Sequence, residues 1–170
     1  AGSKGVNRVD QLEQLACAVE EAISLSFSKR FIIEDYIEQQ GYSSDSDCFS
    51  LDGKLVFCSF SDQMFEDNAA NPYTPAGFVW PDSMCKEDKT VLNQELQRLF
   101  NLLKLKSSLY NIETRVGTNG VPYIMEVSPR GGGNRISEIL TKATGVNLIR
   151  SAIQAAVGEP IDFPRHFEYD

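Results

Sequence analysis

The sequence predicts an α+β chain, an antiparallel sheet of hairpins with helices packed on one face. Three observations lead there. Asn119-Gly120 lies between runs rich in Ile, Val and Tyr, and Asp52-Gly53 joins two further candidate strands; such dipeptides supply the positive φ that a tight hairpin turn needs. Residues 12–25 and 87–106 repeat apolar side chains at helical spacing. Gly145 and Gly158 each follow a shorter run of the same period, where a helix stop belongs.

Taken in order, residues 1–8 form a loop with Gly2 and Gly5 around Ser3 and Lys4. Free backbone donors, a hydroxyl and an ammonium suit a loop that covers phosphate. Asp10 to Glu13 reads as a capping box, and Leu12, Leu15, Ala16, Val19 and Ile23 form a core-facing stripe on the helix that follows. Residues 31–37 predict a strand ending in a mixed hinge. Residues 42–51 alternate hydroxyls and acids, with Asp45 and Asp47 facing away from Ser44, Ser46 and Cys48. They pair with 54–61 across Asp52-Gly53, which makes a three-stranded meander. Residues 62–83 hold three prolines with Phe65, Tyr73, Phe78 and Trp80 and read as a packed, substrate-facing loop. The helix at 87–106 turns Leu92, Leu96, Leu99, Phe100 and Leu103 to one side. After the second hairpin, Asn134 caps a helix carrying Ile136, Ile139, Leu140 and Ala143. The last helix carries Leu148, Ile149, Ala152, Ile153 and Ala156. Residues 159–170 form an extended tail, with the single His166 at the surface.

Composition narrows the function classes. A chain of 170 residues with 42% hydrophobic side chains can bury one ordinary core. Its net charge of −8 argues against nucleic acid or an anionic membrane as a partner. No apolar run reaches membrane-spanning length and no signal peptide opens the chain. Cys17, Cys48, Cys58 and Cys85 lack C-x-x-C spacing and read as reduced thiols of a cytoplasmic protein. The first residue, Ala1, is not Met, so the chain reads as a piece.

The chemistry concentrates between Ser108 and Arg135. A two-residue turn at Asn119-Gly120 sets Thr118 opposite Val121, and counting outward sets Glu113 opposite Glu126 and Asn111 opposite Ser128. Two carboxylates so placed, roughly 5 Å apart, repel by about 3 kcal/mol at an effective dielectric near 20. A retained proton, an interposed cation such as Arg115, or a divalent ion bound by both relieves this repulsion. Arg130 and the glycine run 131–133 follow directly. Hard oxygen donors beside a guanidinium and a glycine-rich backbone suit Mg²⁺ shared with a phosphorylated substrate. The bland reading is a solvated hairpin whose glutamates face water.

The ordered set of pieces resembles the ATP-grasp superfamily, in the style of the carbamoyl-phosphate synthetase large chain and biotin carboxylase. The resemblance covers residues 1–158 as a partial domain, with 159–170 outside it. It implies that Ser3, Lys4 and Gly5 end the glycine-rich loop over the ATP phosphates. Glu34, Asp35, Tyr36 and Ile37 match the hinge that holds adenine. Glu113 and Glu126 match the pair that holds Mg²⁺ (or Mn²⁺) on the phosphates. Ser128 falls where many members have an Asn ligand to the metal, and Arg130 matches the catalytic Arg at the transferring phosphoryl group. Gly41 stands where the family often places a Glu on the ribose. The family's preceding lobe is not in this stretch, and supply of that lobe in cis or from another chain, like oligomer formation, stays open.

What the resemblance implies is a ligase. ATP phosphorylates a small carboxylate substrate to an acyl-phosphate, which an amine or similar nucleophile then attacks. Two alternatives stand beside it: a catalytically silent ATP-binding regulatory or interaction module, and a Mg²⁺ carboxylate hydrolase acting on a smaller phosphoester.

Overall fold

Serines alternate with acids over Ser44–Asp47, ahead of Cys48-Phe49, in the strand Ser44–Leu51 (β1), and Asp52-Gly53 turns it back into Lys54–Cys58 (β2). Leu51 pairs with Lys54, and both turn residues have positive φ, 50° and 81°, as a two-residue type I′ loop requires. The computed structural model that shows this describes residues 4–66, 68–69 and 74–164. Ser3, Tyr73 and His166 lie outside the described residues. The chain divides into two units, 1–38 with 65–75, and 39–64 with 76–170.

The second unit contains a four-stranded antiparallel sheet in the order β2-β1-β5-β6, where β5 is Ser108–Val116 and β6 is Pro122–Ser128. The expected meander does not form. Residues 31–37 adopt no strand, and β5 takes the place beside β1. The β-branched run has the propensity, but a ladder needs a partner, and Ile32 and Ile33 are 81% and 66% exposed. The chain bridges to the sheet at Gln39, opposite Gly117, and the Gln40 N–H donates to Val116 O at 2.8 Å. Part of the expected loop at 62–83 is instead a separate ribbon of Asp62–Met64 (β3) and Gly77–Val79 (β4).

Helices lie on both faces of the sheet, not on one. Cys48-Phe49 in β1 and Leu109-Tyr110 in β5 send one apolar side chain to each side. Cys48, Tyr110 and Ile112 pack with Leu92, Leu96 and Phe100 of α2 (Lys86–Leu103). Phe49 and Leu109 pack with Ile136 and Leu140 of α3 (Ile136–Thr144) and Leu148 of α4 (Leu148–Val157). Lys104 in the left-handed conformation ends α2 earlier than expected and leaves Leu103 exposed. Arg135, not Asn134, is the N-terminal boundary of α3, and both have positive φ. Gly145 and Gly158 end α3 and α4 as expected, both with positive φ. Ile161 and Phe163 return to the second core, Phe163 with its ring 5.0 Å from that of Phe49.

In the first unit, a 3-10 turn at Leu12–Gln14 leads into α1 (Leu15–Leu25). The reach-back comes from Gln14, whose Oε1 accepts the N–H groups of Asp10 and Gln11 at 3.2 Å each, so the Asp10 to Glu13 box is displaced by one residue. No residue of α1 is buried and Leu12 is 78% exposed. The predicted stripe is therefore amphipathic without being core.

Candidate functional site

The hairpin β5–β6 reaches the expected pairing by a different route. The loop has three residues, not two: Gly117 N–H donates to Val121 O at 2.9 Å and Gly120 N–H to Gly117 O at 2.8 Å. Gly120 takes the positive φ of 73°, the left-handed position that closes such a loop. Thr118 is thus not opposite Val121. The ladder runs one residue out of the expected register through Val116–Pro122 and Thr114–Ile124, until a bulge between Glu113 and Thr114 takes up Met125 as an extra residue. Beyond it, Glu113 faces Glu126 and Asn111 faces Ser128. Two one-residue departures cancel.

β1 adds a third strand of acids. Asp45 pairs with Glu113, and Asp47 pairs with Asn111. One row across the sheet is therefore Asp45, Glu113, Glu126, and the next is Asp47, Asn111, Ser128. Asn111 ties the rows together. Its Nδ2 donates to Asp45 Oδ1 at 2.7 Å and to Asp47 Oδ1 at 3.3 Å, while its Oδ1 accepts from Arg130 Nη1 at 3.3 Å. The Ser128 hydroxyl donates to Glu126. Arg130 Nη1 also donates to Gly131 O at 2.9 Å.

Crowding of acids on a half-covered face shifts their protonation. Burial raises the pKa of Glu113, and the Asp45 and Glu126 charges add to this against the pull of Arg115. Burial likewise raises Asp45, opposed by the Asn111 amide and reinforced by Asp47. Asp47 is raised by burial, against hydrogen bonds from Ser137, Gly132 and Asn111. Among the described residues no three of His, Cys, Asp and Glu gather closely enough to cage a metal ion. An all-oxygen donor set in which acids crowd one face of the sheet fits Mg²⁺, which binds through one or two carboxylates and keeps its other positions for phosphate and water.

The remaining expected residues belong to the first unit. Lys4 is exposed, and Gly5 has a φ of 74°, where an added Cβ would lie 3.4 Å from Leu25 Cδ1 and 3.5 Å from Ala22 Cα of α1. Glu34 and Asp35 are exposed, Ile37 is half-buried, and the Arg8 guanidinium lies 4.2 Å from the Tyr36 ring centroid. Asp45 and Asp47 are the residues that sequence reasoning did not assign to the site. Their signal was the Asp-x-Asp alternation, which marks a face without naming its neighbours. A concavity of about 650 Å³ between β2 and α2, lined by Val56, Thr90, Gln94 and Arg98, holds none of these acids.

A family model described as an ATP-grasp domain matches residues 1–138. The carbamoyl phosphate synthase large chain of Thermoanaerobacter sp. (strain X514) is 26% identical over 160 residues, covering 94% of this chain and 14% of the relative. This chain thus spans about one-seventh of that relative's length. The biotin carboxylase–β,γ-ATP complex of Campylobacter jejuni superposes with a TM-score of 0.79 at 15% identity, over 99% of this chain and 37% of that one. The biotin carboxylase domain of Hydrogenobacter thermophilus 2-oxoglutarate carboxylase, in complex with MgADP, ADP and bicarbonate, gives 0.76 at 16% identity, over 100% and 37%. The structural likenesses show a shared fold. No helix among the described residues is long and apolar enough to cross a membrane.

Proposed function

Because the chain belongs to the ATP-grasp family, we propose that residues 1–158 are the C-terminal part of an ATP- and Mg²⁺-dependent ligase domain that joins a carboxylate to an amine. The observation that carries this reading is the opposition of Glu113 and Glu126, with Asp45 beside Glu113 and with Ser128 and Arg130 adjoining. Glu113 and Glu126 would hold the ion. Ser128 orients Glu126 through its hydroxyl proton and keeps lone pairs for the ion. When bound, Mg²⁺ supplies charge neutralisation across the phosphate oxygens.

The chain's own groups do the positioning that phosphoryl transfer demands. Ser3, Lys4 and Gly5 cover the phosphates, and Glu34, Asp35, Tyr36 and Ile37 hold the adenine. The substrate carboxylate oxygen attacks the γ-phosphorus, the bond to the β–γ bridging oxygen breaks, and ADP leaves. Arg130 offsets the charge that builds on the transferred group. An amine then attacks the acyl carbon, phosphate departs, and the amine proton passes to solvent. The full activity draws on the family's preceding lobe, in cis or from another chain, in a cytoplasmic setting.

Calorimetric titration with MgATP tests the site. Glu113→Gln and Glu126→Gln are each expected to weaken binding about tenfold or more, the loss of a charged ligand, with the fold retained. Unchanged affinity in both variants removes the metal assignment. Phosphate release in the presence of small carboxylates and amines then tests turnover. Binding without release leaves a silent ATP-binding module, and release without a new amide points to a hydrolase.

A further inference from the structure

Resting on the proposed role of Arg130, the geometry points to Asp47 as its positioning residue: the carboxylate clamps the glycine turn after β6 to the sheet and so fixes where the guanidinium stands. Asp47 is fully buried. Its Oδ1 accepts the Gly132 N–H at 2.8 Å and the Asn111 Nδ2 at 3.3 Å, and its Oδ2 accepts the Ser137 hydroxyl of α3. Both oxygens are thus occupied by internal donors, which sets Asp47 apart from the acids proposed to hold an ion. Burying a carboxylate this way carries a desolvation cost that an apolar side chain would avoid. What the acid adds is a fixed point for three segments: β5 through Asn111, the turn through Gly132, and α3 through Ser137.

The turn is pressed close enough to need that fixed point. A Cβ on Gly132 would lie 2.7 Å from Asn111 Nδ2, 2.9 Å from Ile136 Cδ1 and 3.0 Å from Asp47 Oδ1. One on Gly131 would lie 3.2 Å from both Leu109 Cδ2 and Ser137 Oγ. Arg130 stands directly before this pair, and its Nη1 bonds to Gly131 O and to Asn111 Oδ1. Asp47 therefore reaches Arg130 by two short routes, through the Gly132–Gly131 backbone and through the Asn111 amide. No other carboxylate of the acidic rows touches the turn in this way among the described residues.

The test uses the full 170-residue chain and starts without nucleotide. Amide hydrogen exchange is read at Gly132 and across β5, and ¹⁵N relaxation is read at the Arg130 Nε–H. In Asp47→Ala, exchange at Gly132 should accelerate about tenfold or more, as loss of a charge-assisted bond implies. Arg130 should become more mobile while β5 keeps its protection. Asp47→Asn retains an acceptor for Gly132 and lets the Ser137 hydroxyl reverse its role, so it should behave like the parent chain. In MgATP titrations, Asp47→Ala should weaken binding in the parent chain and add nothing in an Arg130→Ala background. Unchanged Gly132 exchange with an ordered Arg130, Ala and Asn variants that behave alike, or additive losses in the double variant would each overturn the inference. If Asp47→Ala does not fold, Gly132→Ala lifts the same turn, and an Arg130 that stays ordered there also overturns it. Failure of the parent chain to bind MgATP would sink the proposed function, leaving the exchange and relaxation results to decide the role of Asp47.

Discussion

Glu113 has Asp45 on one side and Glu126 on the other, so the acid proposed to hold the ion is also a source of instability. Its pKa and those of Asp45 and Asp47 are raised in the fold. A raised carboxylate pKa means that the folded chain holds its proton where the unfolded chain has already lost it. These groups therefore favour the fold below the ordinary carboxylate range, and that contribution is lost as pH rises through the folded-state pKa values. Thermal melts from pH 4 to 8 should show this decline, and Glu113→Gln should flatten it. At pH 7 the variant should melt about 1–4 °C higher, the scale of one like-charge cross-strand contact. A lower melting point at pH 7 would mean that Glu113 already has a compensating partner. Glu113 and Glu126 were legible in the sequence because they lie on neighbouring strands of one hairpin. Asp45 was not: Asn111, its hydrogen-bond partner, is 66 residues away, and only the packing of β1 against β5 brings the acids into one row.

At the scale of elements, the hairpin shows how a correct pairing can follow from an incorrect turn. Asn119-Gly120 does mark the reversal, but only Gly120 of the two has a positive φ, and the Asn119 side chain instead accepts the Val121 N–H at 3.1 Å. Gly120→Ala should cost about 1–2 kcal/mol, the penalty for a side chain in the left-handed region, measured by urea unfolding. Asn119→Ala should cost less. Bulges such as the one at Met125 leave no dependable mark on local sequence, since they answer to twist and to the packing of the whole strand. The other hairpin is held from outside. Gln97 of α2 accepts the Leu55 N–H and donates to Gly53 O, both at 2.8 Å. Gln97→Ala leaves two backbone groups of this edge hairpin with poorer partners, and should destabilise by about 1 kcal/mol in the same measurement.

The whole molecule distributes its stability unevenly. Phe100 is fully buried on α2, with its ring 4.8 Å from that of Tyr110. Phe100→Ala should cost about 3–5 kcal/mol, a large share of an ordinary domain's stability. Phe163 covers Phe49 from a segment outside any helix or strand and is only half-buried. Phe163→Ala should therefore cost less, about 1–3 kcal/mol. Chemical unfolding of the two variants checks the order, and equal losses would place the tail at the centre of the second core. In the first unit, α1 and residues 31–37 have the periodicity and β-propensity of packed elements, yet they leave Leu25, Ile32 and Ile33 exposed. Local patterns record what a segment can bury. Whether it does so depends on the partner it meets.

By itself, the sequence determined the helices α2, α3 and α4, the two hairpins, and the glutamate pair with Arg130 after it, because each is written in spacings of a few residues. Tertiary structure alone decided that β5 lies beside β1, that helices cover both faces, and that Asp45 and Asp47 join the glutamates. Those outcomes follow from long-range strand pairing, where many registers satisfy local alternation and burial of the assembled sheet selects one.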